Sequence, residues 1–83
     1  MRSRLLLRRL RSGSFSNVSF GDAMRLAEDL GFRTLRQTVS HHIVGLPGVP
    51  ELVNRQEVGG TAKPYQLRQL QRLIDKYNLQ LED

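Results

Sequence analysis

Two amphipathic stripes at helical spacing enclose a central stretch that resists helix, and this order constrains the fold more than any other feature of the chain. Over residues 20 to 30, Phe20, Ala23, Met24, Ala27 and Leu30 recur at the i, i+3, i+4 intervals of a buried helix face. Ser19 is placed to cap that helix, Asp22 lies in the first turn where a carboxylate complements the dipole, and Gly31 supplies the stop. The second stripe, Leu67, Leu70, Leu73, Ile74 and Tyr77, follows Pro64, which occupies a first-turn position. Between the stripes, residues 32 to 37 mix apolar and polar side chains, and the β-branched Thr38, Val39, Ile43 and Val44 suit extended chain, predicting a hairpin or meander. Residues 45 to 50 hold two prolines and two glycines, which predicts a loop; residues 51 to 56 predict a further strand, and Gly59-Gly60 a flexible turn. Helices segregated from a short antiparallel sheet make a small α+β sandwich.

In front of this unit, residues 2 to 11 read as a short helix with Leu6, Leu7 and Leu10 on one side and arginines elsewhere, ended by Gly13 and followed by a serine-rich connector. The chain thus divides into a basic arm, residues 1–14, and a main domain, residues 15–83; the arm either docks by its leucines or remains mobile. The formal net charge is +5, and Arg2, Arg4, Arg8, Arg9 and Arg11 account for all of it, since the other eight Lys/Arg balance eight Asp/Glu. An arginine-rich arm on a neutral body is an electrostatic handle for nucleic acid, because each neutralised phosphate releases counterions. The same pattern fits a solvated helix face equally well, and a membrane-surface segment less well, with ten residues and three leucines.

A chain of 83 residues buries one modest core, so any site is shallow and surface-mounted. With no cysteine there are no disulfides or thiolate metal sites, and with two histidines the remaining ligands of a zinc ion would have to be carboxylates. No metal or other cofactor is expected. No apolar run approaches the roughly 18 to 20 residues of a membrane span, so no membrane association and a cytoplasmic location are expected.

The chemistry-bearing residues cluster between Arg36 and Tyr65. Ser40-His41-His42 contains both histidines of the chain, and histidine is the side chain able to take and give a proton near neutral pH. On a strand, neighbours point to opposite faces. If Ile43 faces the core, His41 does too, in a structural or else a catalytic role, while His42 joins Ser40 on the open face; Val44, however, shares His42's parity. Lys63, beside Pro64 at a helix start, can address a phosphate, as can Arg36. Gln37, Asn54 and Gln56 offer neutral hydrogen-bonding groups on strands. Tyr65 either stacks on a base or anchors its helix to the sheet. Each of these residues taken singly is also ordinary on a protein surface.

Several short motifs together resemble the HicA family of toxins, in order and in spacing: Ser16-Asn17-Val18, Leu30-Gly31-Phe32, Ser40-His41-His42-Ile43, Pro47-Gly48-Val49-Pro50-Glu51-Leu52, Asn54, Gln56-Glu57-Val58-Gly59-Gly60, Ala62-Lys63-Pro64-Tyr65-Gln66 and Lys76-Tyr77-Asn78-Leu79. The resemblance covers nearly the whole chain. It implies a fold like the double-stranded RNA-binding domain (helix, three-stranded antiparallel sheet, helix) with the N-terminal basic helix or arm as an addition. It also implies an mRNA interferase of a type II toxin-antitoxin system, silenced by an antitoxin of the HicB family. The family's catalytic histidine, in a Gly-Ser-x-His pattern on a strand, corresponds to His42. The sequence departs from that pattern at Val39, where the family has glycine, and at Val44-Gly45-Leu46, which replaces an aromatic followed shortly by histidine.

The function expected from these readings is metal-independent cleavage of mRNA, with His42 as general acid or base and Ser40, Lys63, Arg36, Gln37 and Tyr65 contacting RNA. With no protein nucleophile evident, the attacking group is the RNA's own 2′-hydroxyl. The alternative is a module of the same fold that binds RNA or the antitoxin without cutting.

Overall fold

The computed structural model describes residues 2–38, 41–55 and 60–81. It contains helices α1 (Ser3–Arg11), α2 (Phe20–Asp29) and α3 (Pro64–Tyr77), and strands β1 (Arg33–Gln37), β2 (His41–Leu46) and β3 (Val49–Arg55). The strands form one antiparallel sheet in the order β1-β2-β3. The α+β class and the expected succession of helix, strands and helix therefore hold. No helix among the described residues is long and apolar enough to cross a membrane.

Helices α2 and α3 are bounded by the chemistry their sequences supply. At the start of α2 the Ser19 hydroxyl accepts the Asp22 amide at 3.0 Å. At its end Gly31 turns left-handed, φ +105°, so that the Phe32 amide reaches back to the Ala27 carbonyl at 3.0 Å. Helix α3 opens on Pro64 and closes on Asn78, itself left-handed, with the Leu79 amide on the Ile74 carbonyl at 3.0 Å. That closure folds Leu79 and Leu81 onto the core, beyond the reach of the helical stripe.

Helix α1 is docked rather than mobile. Leu6, Leu7 and Leu10 are buried, in one cluster with Leu26, Ala27 and Leu30 from the α2 region and Leu67, Leu70 and Ile74 of α3. A boundary after residue 14 thus separates charge but not packing. Ser3, at the start of α1, donates to Asp29 at the end of α2, and Arg9, near the end of α1, donates to the Ser16 carbonyl shortly before α2, so the two helices run antiparallel.

The proline- and glycine-dense stretch 45–50 is mostly strand. Leu46 pairs with Val49, leaving only Pro47 and Gly48 as the turn, with Gly48 at φ +81°. A Pro-Gly turn needs no more residues, and Pro50 is tolerated because β3 is an edge strand. A bulge between Thr34 and Arg36 turns Leu35 over Gly45, where an added Cβ would lie 2.6 Å from the leucine Cδ1.

Register fixes the two faces of the sheet. Val44 and Leu52 are paired and buried against the helices. Ile43 and Val53, paired one position along, lie on the opposite face, where Val53 and Leu35 are exposed.

Candidate nucleic-acid site

Because Val44 faces the helices, His42 two residues earlier does as well, and the expected parity is reversed. It is His41 that shares the open face with Ile43. The physical reason is packing volume: the helix layer covers the Val44–Leu52 pair, and the central strand has no freedom to slip by one residue without exposing both. His42 is half-buried at the end of this covered face, where its ring meets Phe20 edge-on, centroids 5.0 Å apart and planes at 61°. Sequence periodicity marks Phe20 as core; its second role, as a platform for the histidine, depends on where β2 ends against α2.

Directly opposed residues of antiparallel strands share a face, so Gln37, His42 and Asn54 form one polar row across β1, β2 and β3. Gln37 is exposed at one end of the row. Asn54 is buried at the other, its amide nitrogen 3.2 Å from the Met24 sulfur. The row therefore offers one fixed imidazole and one solvent-facing amide, with Asn54 serving the packing.

Lys63 reaches the same end of the molecule through the backbone. The Phe20 amide donates to the Gly60 carbonyl at 2.6 Å, the Ala62 amide to the Val18 carbonyl at 2.8 Å, and Ser19 bridges Thr61. This short pairing brings the starts of α2 and α3 together. Lys63 stands at the α3 start with its ammonium 5.8 Å from the Tyr65 ring centroid. Tyr65 is 43% exposed, which leaves part of its ring accessible for stacking.

Arg36 lies elsewhere. It is opposite Ile43, on the far side of the sheet from His42, with its guanidinium 3.7 Å from Glu51. The structure thus sets His42 and Gln37 in one row and Lys63 and Tyr65 at the α3 start, which the pairing of residues 18–20 with 60–62 ties to the start of α2, and places His41 and Arg36 on the other face. Ser40, Val39 and Gln56 lie outside the described residues. Thr38 and His41 close the connection around 39–40, the Thr38 amide on the His41 carbonyl at 2.8 Å and the His41 amide on the Thr38 hydroxyl at 3.1 Å. Among the described residues, no group of three or more His, Cys, Asp or Glu side chains could hold a metal ion.

Comparison with family models, with curated proteins and with solved structures finds no match to this chain.

Proposed function

We propose that this chain is an RNA endonuclease of the HicA type, built on a fold like the double-stranded RNA-binding domain, in which His42 moves the proton. The observation that carries the reading is the edge-to-face seating of His42 on Phe20, in a row with the exposed Gln37 and at the end of the molecule that holds Lys63 and Tyr65. An imidazole seated on an aromatic ring, with a cation and an exposed aromatic ring at the start of the helix tied to that same region, suits a phosphodiester with a stacked neighbouring base.

In the proposed reaction the 2′-oxygen of the substrate bonds to the adjacent phosphorus and the bond from phosphorus to the 5′-oxygen breaks. His42 accepts the 2′-hydroxyl proton, and the leaving 5′-oxygen takes one from solvent. The products are a 2′,3′-cyclic phosphate and a 5′-hydroxyl. Lys63 offsets charge on the phosphate oxygens and Gln37 hydrogen-bonds the substrate. The substrate is mRNA in the cytoplasm, and the natural inhibitor is a HicB-type antitoxin covering the His42 end.

Replacing His42 with alanine or glutamine removes the acid-base group, a loss on the order of 10²- to 10⁴-fold in cleavage rate. The measurement is single-turnover cleavage of a labelled mRNA, with end-group analysis for the cyclic phosphate. Undiminished cutting by both variants would rule out His42. Intact RNA with parent and variants alike, together with salt-sensitive binding, would leave a non-catalytic RNA-binding module.

A further inference from the structure

The arginines of α1 form a surface of their own. Leu6, Leu7 and Leu10 turn into the core, and the helical period places Arg4, Arg8 and Arg11 along a neighbouring stripe, at i, i+4 and i+7. All three are exposed. With Leu7, and with Gln80 and Leu81 from the segment after α3, they line an open concavity of about 410 Å³. The helix carries no acidic residue. Leu6, Leu7 and Leu10 are consumed by the core, which leaves Leu5, 48% exposed, as the one large apolar side chain of α1 open to solvent, too little for a membrane-surface segment.

The direction of the stripe is informative. Helix α1 is antiparallel to α2, with Ser3 bonded to Asp29 at one end and the Arg9 guanidinium donating to the Ser16 carbonyl, shortly before α2, at the other. The stripe therefore leads from the C-terminal end of α2, beside Arg4, toward its N-terminal end, where Phe20 seats His42. At 1.5 Å per residue it extends roughly 10 Å along the helix axis. Guanidiniums about one helical turn apart suit a ligand that repeats its negative charge at regular intervals, and each can take two phosphate oxygens at once.

We propose that Arg4, Arg8 and Arg11 form a phosphate track that holds single-stranded RNA flanking the scissile bond, outside the His42 site and without regard to base sequence. The proposal rests on the RNA reading of His42, but its test does not depend on cleavage. The probe is a 20-nucleotide unstructured RNA methylated at every 2′-oxygen, which cannot be cut by its own hydroxyl, bound to the full chain over a range of salt. Neutralising the track with R4Q/R8Q/R11Q should flatten the slope of log affinity against log salt by about 2, from about 0.7 per phosphate contact on a single strand. R4K/R8K/R11K, which keeps the charge, should retain most of the slope. On cleavable RNA the glutamine variant should raise KM for a 20-mer and leave a dinucleotide unaffected.

An unchanged slope in the glutamine variant overturns the track. So does equal flattening in the lysine variant, or failure of the parent to bind the probe at all. Unchanged RNA binding with lost affinity for an acidic inhibitor protein would assign the stripe to protein recognition instead. Failure of the catalytic reading is separable, since His42→Ala would then cut like the parent while the binding slopes keep their meaning.

Discussion

The Phe20 ring decides where the His42 imidazole can point. An edge-to-face contact at 5.0 Å restricts the imidazole far more than a flat apolar wall would. Phe20 is itself pinned, being nearly buried at 7% exposure and having its amide on the Gly60 carbonyl. Phe20→Leu keeps an apolar side chain at that place in the core, at a cost below the roughly 3 to 5 kcal/mol of truncating a buried phenylalanine to alanine, and removes the ring that orients the imidazole. We expect this variant to melt cooperatively yet to cleave RNA up to about 10²-fold more slowly, as catalytic groups misplaced by about 1 Å do. Equal single-turnover rates for variant and parent would show that Phe20 has no positioning role. The pair also explains what the sequence conceals. Ile43 and Val44 are both β-branched and apolar, so alternation alone assigns the faces either way; the cover over Val44 decides, and it comes from helices distant in the chain.

Among elements, the α1–α2 pair carries a titratable clasp. The Ser3 hydroxyl donates to Asp29, and Arg25 lies 3.2 Å from the other carboxylate oxygen. Both hold the Asp29 pKa below its ordinary value, the serine hydrogen bond most. A carboxyl whose pKa is lower folded than unfolded contributes stability above the unfolded pKa, about 3.9, and loses it as pH falls through the folded value. The Asp29 side chain is 38% exposed, so water and salt keep the effect small. Ser3→Ala should move the Asp29 titration, followed by NMR, toward the ordinary value, and should flatten the acid limb of the stability curve below about pH 4. An unmoved titration would show that the hydrogen bond is not formed in solution. The helices themselves are legible in the sequence, because stripe, cap and stop agree at both ends of α2 and the stripe and proline mark α3. The β2–β3 connection is less so: proline and glycine density marks a turn without giving its length, and residues 45, 46, 49 and 50 join strands through a bulge and an edge position. In the candidate site, histidine chemistry marks the His41-His42 pair and the family resemblance, not strand parity, selects His42; Lys63 and Tyr65 are legible as helix-start residues, but the Val18–Phe20 pairing with Gly60–Ala62 that joins the starts of α2 and α3 is not.

For the molecule as a whole, the charged segment and the core are one object. An 83-residue chain is expected to have a net stability of roughly 4 to 12 kcal/mol. Leu6, Leu7 and Leu10 are 0%, 5% and 1% exposed, and burying each contributes roughly 1.5 to 3 kcal/mol. The three together are comparable with the entire margin. Leu10→Ala alone should cost about 2 to 5 kcal/mol, read from denaturant melts. Removal of residues 1 to 12 also uncovers Leu26, Ala27 and Leu30, which pack in the same cluster, so the truncated chain should lose its cooperative transition. A truncated protein that melts cooperatively within a few degrees of the parent would return α1 to the status of an appendage. If truncation unfolds the chain, the positive charge on α1 cannot be shed without the fold, and exposed-arginine substitutions are the way to separate its electrostatics from its packing. The same coupling bears on regulation. A partner that binds the α1 arginines engages a helix built into the core, so it would stabilise the whole domain against unfolding by an amount that grows with the logarithm of its free concentration over its Kd.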